Sequence, residues 1–269
     1  MRKPKHMRQR KGISPLFTVI FLIFLAVFVF ALYKVIFISS VYSAGKSDYA
    51  DVAAQFVLES PTPSPAPALE TDSTDTQAVP AVCPISVDFS ALQAANPDTV
   101  GWLYQTDTVI NYPVVQSEEN TYYLTHLFTG RQNANGAIFM DSAAKSDCTD
   151  QITAIFGHNM NNGSMFGSLK KYKQPTYYQE HPTLYLLTPL AVYRVDLFAG
   201  YVTDAEDPCY THNFSTQSDY VRFLADAQAK SCFESDVTVS AEDHIIALST
   251  CSYEFENASF VVLGKLVKQ

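Results

Sequence analysis

The sequence predicts a mainly β body, a barrel of antiparallel or mixed strands with a few peripheral helices, preceded by one N-terminal transmembrane helix. Three observations carry this. A long apolar run stands near the N-terminus. Past residue 84 most apolar segments are short, rich in β-branched and aromatic residues, and bounded by turn signals. Few helical periodicities separate them, so the alternating βα units of a parallel α/β sheet are missing.

Leu16 to Tyr33 is apolar apart from Thr18, and Val35 to Ile38 continues the run past Lys34. That length crosses a bilayer, with Lys34 reaching the interface, so 16–38 reads as an anchor. Arg2, Lys3, Lys5, Arg8, Arg10 and Lys11 crowd the segment 1–15, and no Asp or Glu precedes Asp48. Such a basic flank predicts a cytoplasmic N-terminus and an extracellular body. A cleaved signal peptide is the competing reading, since Tyr42-Ser43-Ala44 could pass as a small-residue cleavage site. The run is longer than a usual signal core, which favours a retained anchor.

Residues 39–83 read as an extracellular stalk. Ser47 to Phe56 could form a short helix, but Pro61-Thr62-Pro63-Ser64-Pro65-Ala66-Pro67 and Thr71 to Pro80 hold almost no large apolar residue. Such a stretch cannot bury enough surface to fold. The body, 84–269, opens with a short helix carrying Phe89 and Leu92, capped by Asp88 or Ser90 and ended by Asn96-Pro97-Asp98. Strands are expected at Val100–Tyr104, Pro113–Gln116, Ala137–Met140, Thr153–Phe156, Thr183–Leu187, Val192–Val202, Val237–Val239, His244–Thr250 and Phe260–Val267. Helices are expected near Met165–Tyr172, Tyr177–Glu180 and Ser218–Lys230, the last with Tyr220, Phe223, Leu224 and Ala227 on one face.

The 269 residues are 47% hydrophobic and 17% charged, which suits one globular domain with appendages. Beyond the basic N-terminus and Lys34, 11 Lys+Arg face 27 Asp+Glu, a formal −16. An acidic body disfavours phosphate backbones, so nucleic acid is not an expected partner. Cys83, Cys148, Cys209, Cys232 and Cys251 resemble neither a zinc site nor a dense disulfide framework, and their odd number leaves at least one free thiol.

Two strand ends carry the chemistry. Ile245-Ile246-Ala247-Leu248-Ser249-Thr250 runs into Cys251, and Ala154-Ile155-Phe156 runs into Gly157-His158-Asn159-Met160. Thiolates are the attacking species in cysteine enzymes, and a neighbouring imidazole favours the thiolate and returns a proton to the leaving group. Either residue alone is unremarkable: a strand cysteine is commonly buried packing, and a histidine at a strand end commonly a surface residue. The small Ser249 before the cysteine and the polar loop Asn159 to Ser164 after the histidine point instead to one exposed rim.

Leu248-Ser249-Thr250-Cys251 is similar to the Thr-Leu-x-Thr-Cys signature of sortases, with Ala247 where threonine is usual. Gly157-His158-Asn159-Met160 followed by Gly163-Ser164-Met165-Phe166-Gly167-Ser168-Leu169 resembles the histidine segment of class B. Val100-Gly101-Trp102-Leu103, Ile110-Asn111-Tyr112-Pro113-Val114-Val115-Gln116 and Tyr122-Tyr123-Leu124 resemble the early barrel strands, in the same order. The resemblance spans about 84 to 269. It implies a closed β-barrel with the site at one end. It also implies a transpeptidase in which Cys251 attacks the Thr carbonyl of a sorting motif at the C-terminus of an exported protein, and His158 serves as acid and base. The acyl-enzyme would be resolved by a peptidoglycan cross-bridge amine or a lipid-linked precursor, with no cofactor and no metal. Asn120, Leu124 and Ser249 fall where the family has its substrate groove; ordinary turn capping and core packing are the plainer readings of Asn120 and Leu124.

One position departs from the family. After Asn257-Ala258, where an arginine is expected, stands Ser259. That guanidinium is expected to donate to the substrate backbone or the oxyanion. Lys265 shares the strand face but lies roughly 20 Å along it. Arg131, Arg194 and Arg222 are the remaining arginines of the body, and Arg194 is the one on a strand whose side the sequence does not assign. A catalytically impaired, peptide-binding sortase fold is therefore the alternative. A papain-like hydrolase is disfavoured, because there the cysteine opens a helix near the start of the catalytic domain.

Overall fold

The structure, a computed structural model, describes residues 15–59, 82–252 and 254–269. The expected basic segment 1–15 and the proline-rich part of the expected stalk therefore lie almost wholly outside the described residues. The first element is α1 (Pro15–Phe56), and the chain divides into two compact units between Ala44 and Gly45. In the first unit the described large apolar side chains from Leu16 to Ile38 all face outward. The helix is long and apolar enough to cross a membrane.

In the second unit α1 behaves differently. Gly45, Tyr49, Val52 and Phe56 recur at helical spacing and are buried. Gly45 lets the helix approach Asn135 closely: a Cβ there would lie 2.4 Å from Asn135 Nδ2 and displace that side chain. The helix runs into β1 (Val57–Glu59), which pairs antiparallel with β2 (Ile85–Val87). Residues 45–59, placed in the stalk by composition, thus belong to the folded body. Composition missed them because four buried positions suffice to dock a helix whose other residues are small or polar.

Asp88 caps α2 (Phe89–Ala95), its carboxylate accepting from Ala91 N at 3.0 Å. The barrel follows: β3 (Thr99–Tyr104), β4 (Asn111–Val115), β5 (Ile138–Met140), β6 (Ile152–Phe156), β7 (Thr183–Leu187), β8 (Val192–Thr203), β9 (Ile245–Cys251) and β10 (Ser259–Lys268). It closes in the order β10-β8-β7-β3-β4-β5-β6-β9, with β4–β5 and β6–β9 parallel and the other pairs antiparallel. Closure leaves no unpaired edge, and inward side chains such as Leu103, Ile138 and Leu248 fill the interior. Outside it sit α3 (Pro175–Glu180) and α4 (Gln217–Lys230), the latter capped by Thr216. As its periodicity predicted, α4 buries Tyr220, Phe223, Leu224 and Ala227, against Ile152, Phe198 and Tyr201.

Two expected elements differ. The helix near Met165–Tyr172 is a 3₁₀ helix, Phe166–Lys173. Val237–Val239 is not a strand: both valines pack on the α4 core, but no strand ladder takes up their backbone. Side chains satisfy it instead. Val237 N donates to Ser235 Oγ, Gln228 Nε2 to Val237 O, and Lys265 Nζ to Thr238 O. Tyr122–Leu124, which the resemblance set among the early barrel strands, is a 3₁₀ turn outside the sheet; strands β1 and β2 and the 3₁₀ turn Pro208–Tyr210 were not anticipated.

Candidate active site

The parallel pairing of β6 with β9 builds the site. Ile152 lies opposite Ile245 and the register runs to Phe156 opposite Ser249; two steps further come His158 and Cys251. Three bonds stitch the strand ends together: Gly157 N to Ser249 O at 3.1 Å, Thr250 Oγ1 to Gly157 O at 2.7 Å, and Asn159 Nδ2 to Cys251 O at 2.7 Å. Gly157 is required because a Cβ there would lie 2.5 Å from Ile138 Cδ1 and 2.8 Å from Phe166 Cγ. Ile245 to Thr250 are all buried, and Cys251, the last residue of β9, is exposed.

Both residues line one cleft of about 350 Å³, together with Asn120, Leu124, Tyr210, Ser249 and Ser259. His158 is half-buried, and its Nε2 lies 2.6 Å from Leu124 O. A carbonyl oxygen only accepts, so Nε2 carries the proton and Nδ1 is the unprotonated nitrogen of the neutral ring. Leu124 is 39% exposed, so it is a cleft wall and not core, and its carbonyl orients the imidazole. Asn120 does cap a turn, accepting from Ser142 N at 2.8 Å and donating to Asp141 Oδ1 at 3.2 Å, while also facing the cleft.

Ser249 is buried, and its hydroxyl lies 2.8 Å from Tyr210 Oη. Tyr210, which the sequence reading missed, lines the same cleft as Ser259, and burial pushes its phenol up to about 12. It therefore stays a neutral donor throughout the physiological range. The ring stacks on Phe156, with centroids 5.9 Å apart. The available signal was Asp207-Pro208, a cap followed by a helix-starting proline: Asp207 accepts from Cys209 N and so shapes the turn that carries Tyr210.

Ser259, the position of the expected arginine, lies between Cys251 on β9 and Thr203 on β8. Arg194 does not replace the missing cation. It sits opposite Val267, roughly 26 Å along β10 from Ser259, and is held by Asp196 through bonds of 2.7 and 2.8 Å. Arg131 pairs with Asp48, Arg222 with Asp219, and Lys265 with Asp243. The cation that reaches the residue after Cys251 is Lys173: its Nζ is 3.4 Å from Ser252 Oγ, pairs with Glu254, and stands over the Phe260 ring.

A closed barrel with a thiol and an imidazole in one cleft is a frame on which thiol-dependent acyl transfer can run. No protein-family model matches the chain. It is 39% identical over 178 residues to sortase B of Listeria monocytogenes, across 65% of this chain and 72% of that one. A solved Staphylococcus aureus sortase B–substrate complex superposes with a TM-score of 0.64 at 32% identity, over 67% of this chain and 84% of that one. Sortase B of Clostridium perfringens gives a TM-score of 0.63 at 31% identity, over 66% and 99%. The chain belongs to the class B sortases.

Proposed function

We propose that the protein is a membrane-anchored cysteine transpeptidase that joins exported proteins to the cell wall. The observation that carries this is the β6–β9 register, which sets His158 beside Cys251 in a cleft open to solvent. Cys251 gives its thiol proton to His158 and the sulfur attacks the Thr carbonyl carbon of a C-terminal sorting motif, forming a C–S bond and a tetrahedral oxyanion. The C–N bond then breaks and His158 delivers a proton to the leaving amine, which leaves a thioester on Cys251. An amine of a peptidoglycan cross-bridge or of its lipid-linked precursor attacks the thioester, gives its proton to His158, and expels the thiolate. Asn120, Leu124 and Ser249 serve as substrate contacts. Residues 16–38 anchor the chain with its N-terminus in the cytoplasm and its catalytic body outside.

Mass spectrometry of the full chain with a panel of sorting-motif peptides tests the chemistry. The expected product is a thioester on Cys251. Cys251→Ala should abolish it, and His158→Ala should slow turnover by about 10²–10⁴ with the fold intact. A Cys251→Ala protein that still cleaves sorting peptides would sink the nucleophile assignment. Ser259 supports a second reading, a peptide-binding sortase fold of impaired turnover; peptide binding with no thioester in either wild type or Ser259→Arg would establish it.

A further inference from the structure

We propose that Tyr49, on the helix that follows the apolar segment, is a positioning residue for His158, so that the body-side end of α1 is part of the active-site scaffold. Tyr49 is 3% exposed and reaches the histidine by two routes. Along the first, its hydroxyl donates to Gly136 O at 2.7 Å and accepts from Phe128 N at 3.2 Å, which uses both of its capacities. Gly136 lies directly under the imidazole. A Cβ on it would be 2.9 Å from His158 Cδ2, 2.9 Å from Leu124 O and 2.6 Å from Tyr123 O. With φ at +56°, that backbone is one a side chain rarely adopts. Leu124 O is the acceptor that fixes Nε2 of His158, and Ala137 N holds Tyr123 O at 2.9 Å. Tyr49 thus clamps the 123–137 loop at the residue that touches both the ring and its acceptor.

Along the second route, the Tyr49 ring meets Tyr112 edge-on, centroids 5.4 Å apart at 90°. Tyr112 Oη accepts from Met165 N at 3.0 Å. Met165 closes the histidine loop by bridging Asn159, and the next residue, Phe166, donates its N–H to His158 O at 3.1 Å. One side chain therefore braces the loop that orients the imidazole and the loop that carries it. A misplacement of about 1 Å at a proton-transfer group costs up to ~10²-fold in rate, so a clamp at this point acts on chemistry as well as stability.

The proposal rests on the acid–base reading of His158, and its test separates the two. Full-length protein in detergent, labelled with ¹⁵N-histidine, gives the His158 imidazole N–H signal, assigned by its loss in His158→Ala. The rate of Cys251 alkylation by iodoacetamide at neutral pH is read by mass spectrometry of the Cys251 peptide. Tyr49→Phe, which keeps the ring, should shift or broaden the His158 signal and slow alkylation on the order of fivefold. Added to His158→Ala it should slow alkylation no further, because both act through one group. Val52→Ala, on the same buried helix face, should lower Tm and leave the His158 signal in place. An unchanged His158 signal in Tyr49→Phe, an additive double variant, or an equal effect of Val52→Ala would each overturn the proposal while the His158 reading stands. A His158→Ala protein alkylated at the wild-type rate would overturn that reading, and the proposal with it. If Tyr49→Phe does not fold, Tyr112→Phe, which removes the acceptor of Met165 N, is judged by the same results.

Discussion

Ser259 and Tyr210 pose one question of hydrogen-bond supply. The Tyr210 hydroxyl shares a hydrogen bond with Ser249, in which either oxygen can donate, and lines the same cleft as Ser259. Its proton and the Ser259 hydroxyl are neutral donors in the region where the family's arginine is expected. A hydrogen bond to a charged group is worth about 1.5–3 kcal/mol, and losing an oxyanion donor commonly costs about 10²–10³ in rate. Ser259→Arg should therefore raise kcat/KM for the preferred peptide at least about tenfold, with little change in Tm. Tyr210→Phe should lower kcat/KM in the wild type and matter less once Ser259→Arg supplies a guanidinium. A wild type indifferent to both changes would show that the donor comes from elsewhere. The serine's identity was legible in the sequence; its phenolic neighbour was not, because Tyr210 arrives from the segment after β8 and shares a cleft with Ser259 only once β8 and β10 pair.

At the scale of elements, the connection from β9 to β10 is tied to the Phe166–Lys173 helix through Lys173. The Lys173 hydrogen bond, helped by the one from Ser252, holds the Glu254 carboxyl at about 2, well below the ordinary range. The folded value is depressed, so this tether contributes above the ordinary carboxylate pKa of ~4.5 and is lost as pH falls from there towards 2. Both side chains are about a third or more exposed, so the stability involved is no more than ~1 kcal/mol. Carboxyl ¹³C NMR should give Glu254 a midpoint near 2, and Lys173→Met should return it towards 4.5; a midpoint already near 4.5 in wild type would remove the tether. Most strands were legible from β-branched runs between turns. Val237–Val239 shows the limit of that signal, since alternation reports which side chains are buried and says nothing about which partner takes the backbone bonds.

For the whole molecule, the division of the chain at Ala44/Gly45 changes what a cut between residues 60 and 81 would do. The Pro/Ser/Thr-rich composition there makes it the expected site for a protease added to intact protoplasts. Tyr49, Val52 and Phe56 are buried in the body and β1 pairs with β2, at roughly 1.5–3 kcal/mol for each large apolar side chain buried. The 82–269 fragment should therefore remain on the protoplast after cleavage and come off only in denaturant. Release on cleavage alone would contradict the grip of 45–59, and full protection from external protease would contradict the proposed orientation.

What the sequence determined by itself was local or short in range. The apolar run, the strand periodicities, α4, the two strand-end motifs and the serine in place of an arginine are all readable within a few residues, because periodicity and turn chemistry act over that distance. The tertiary structure alone decided the rest. Barrel closure set the β6–β9 register that brings His158 to Cys251, and carried Arg194 to the far end of β10 from Ser259. It brought Tyr210 into the cleft and placed Tyr49 behind the histidine loops. These contacts join residues far apart in the chain, and their partners are fixed by the strand order and register of the barrel, which no local pattern encodes.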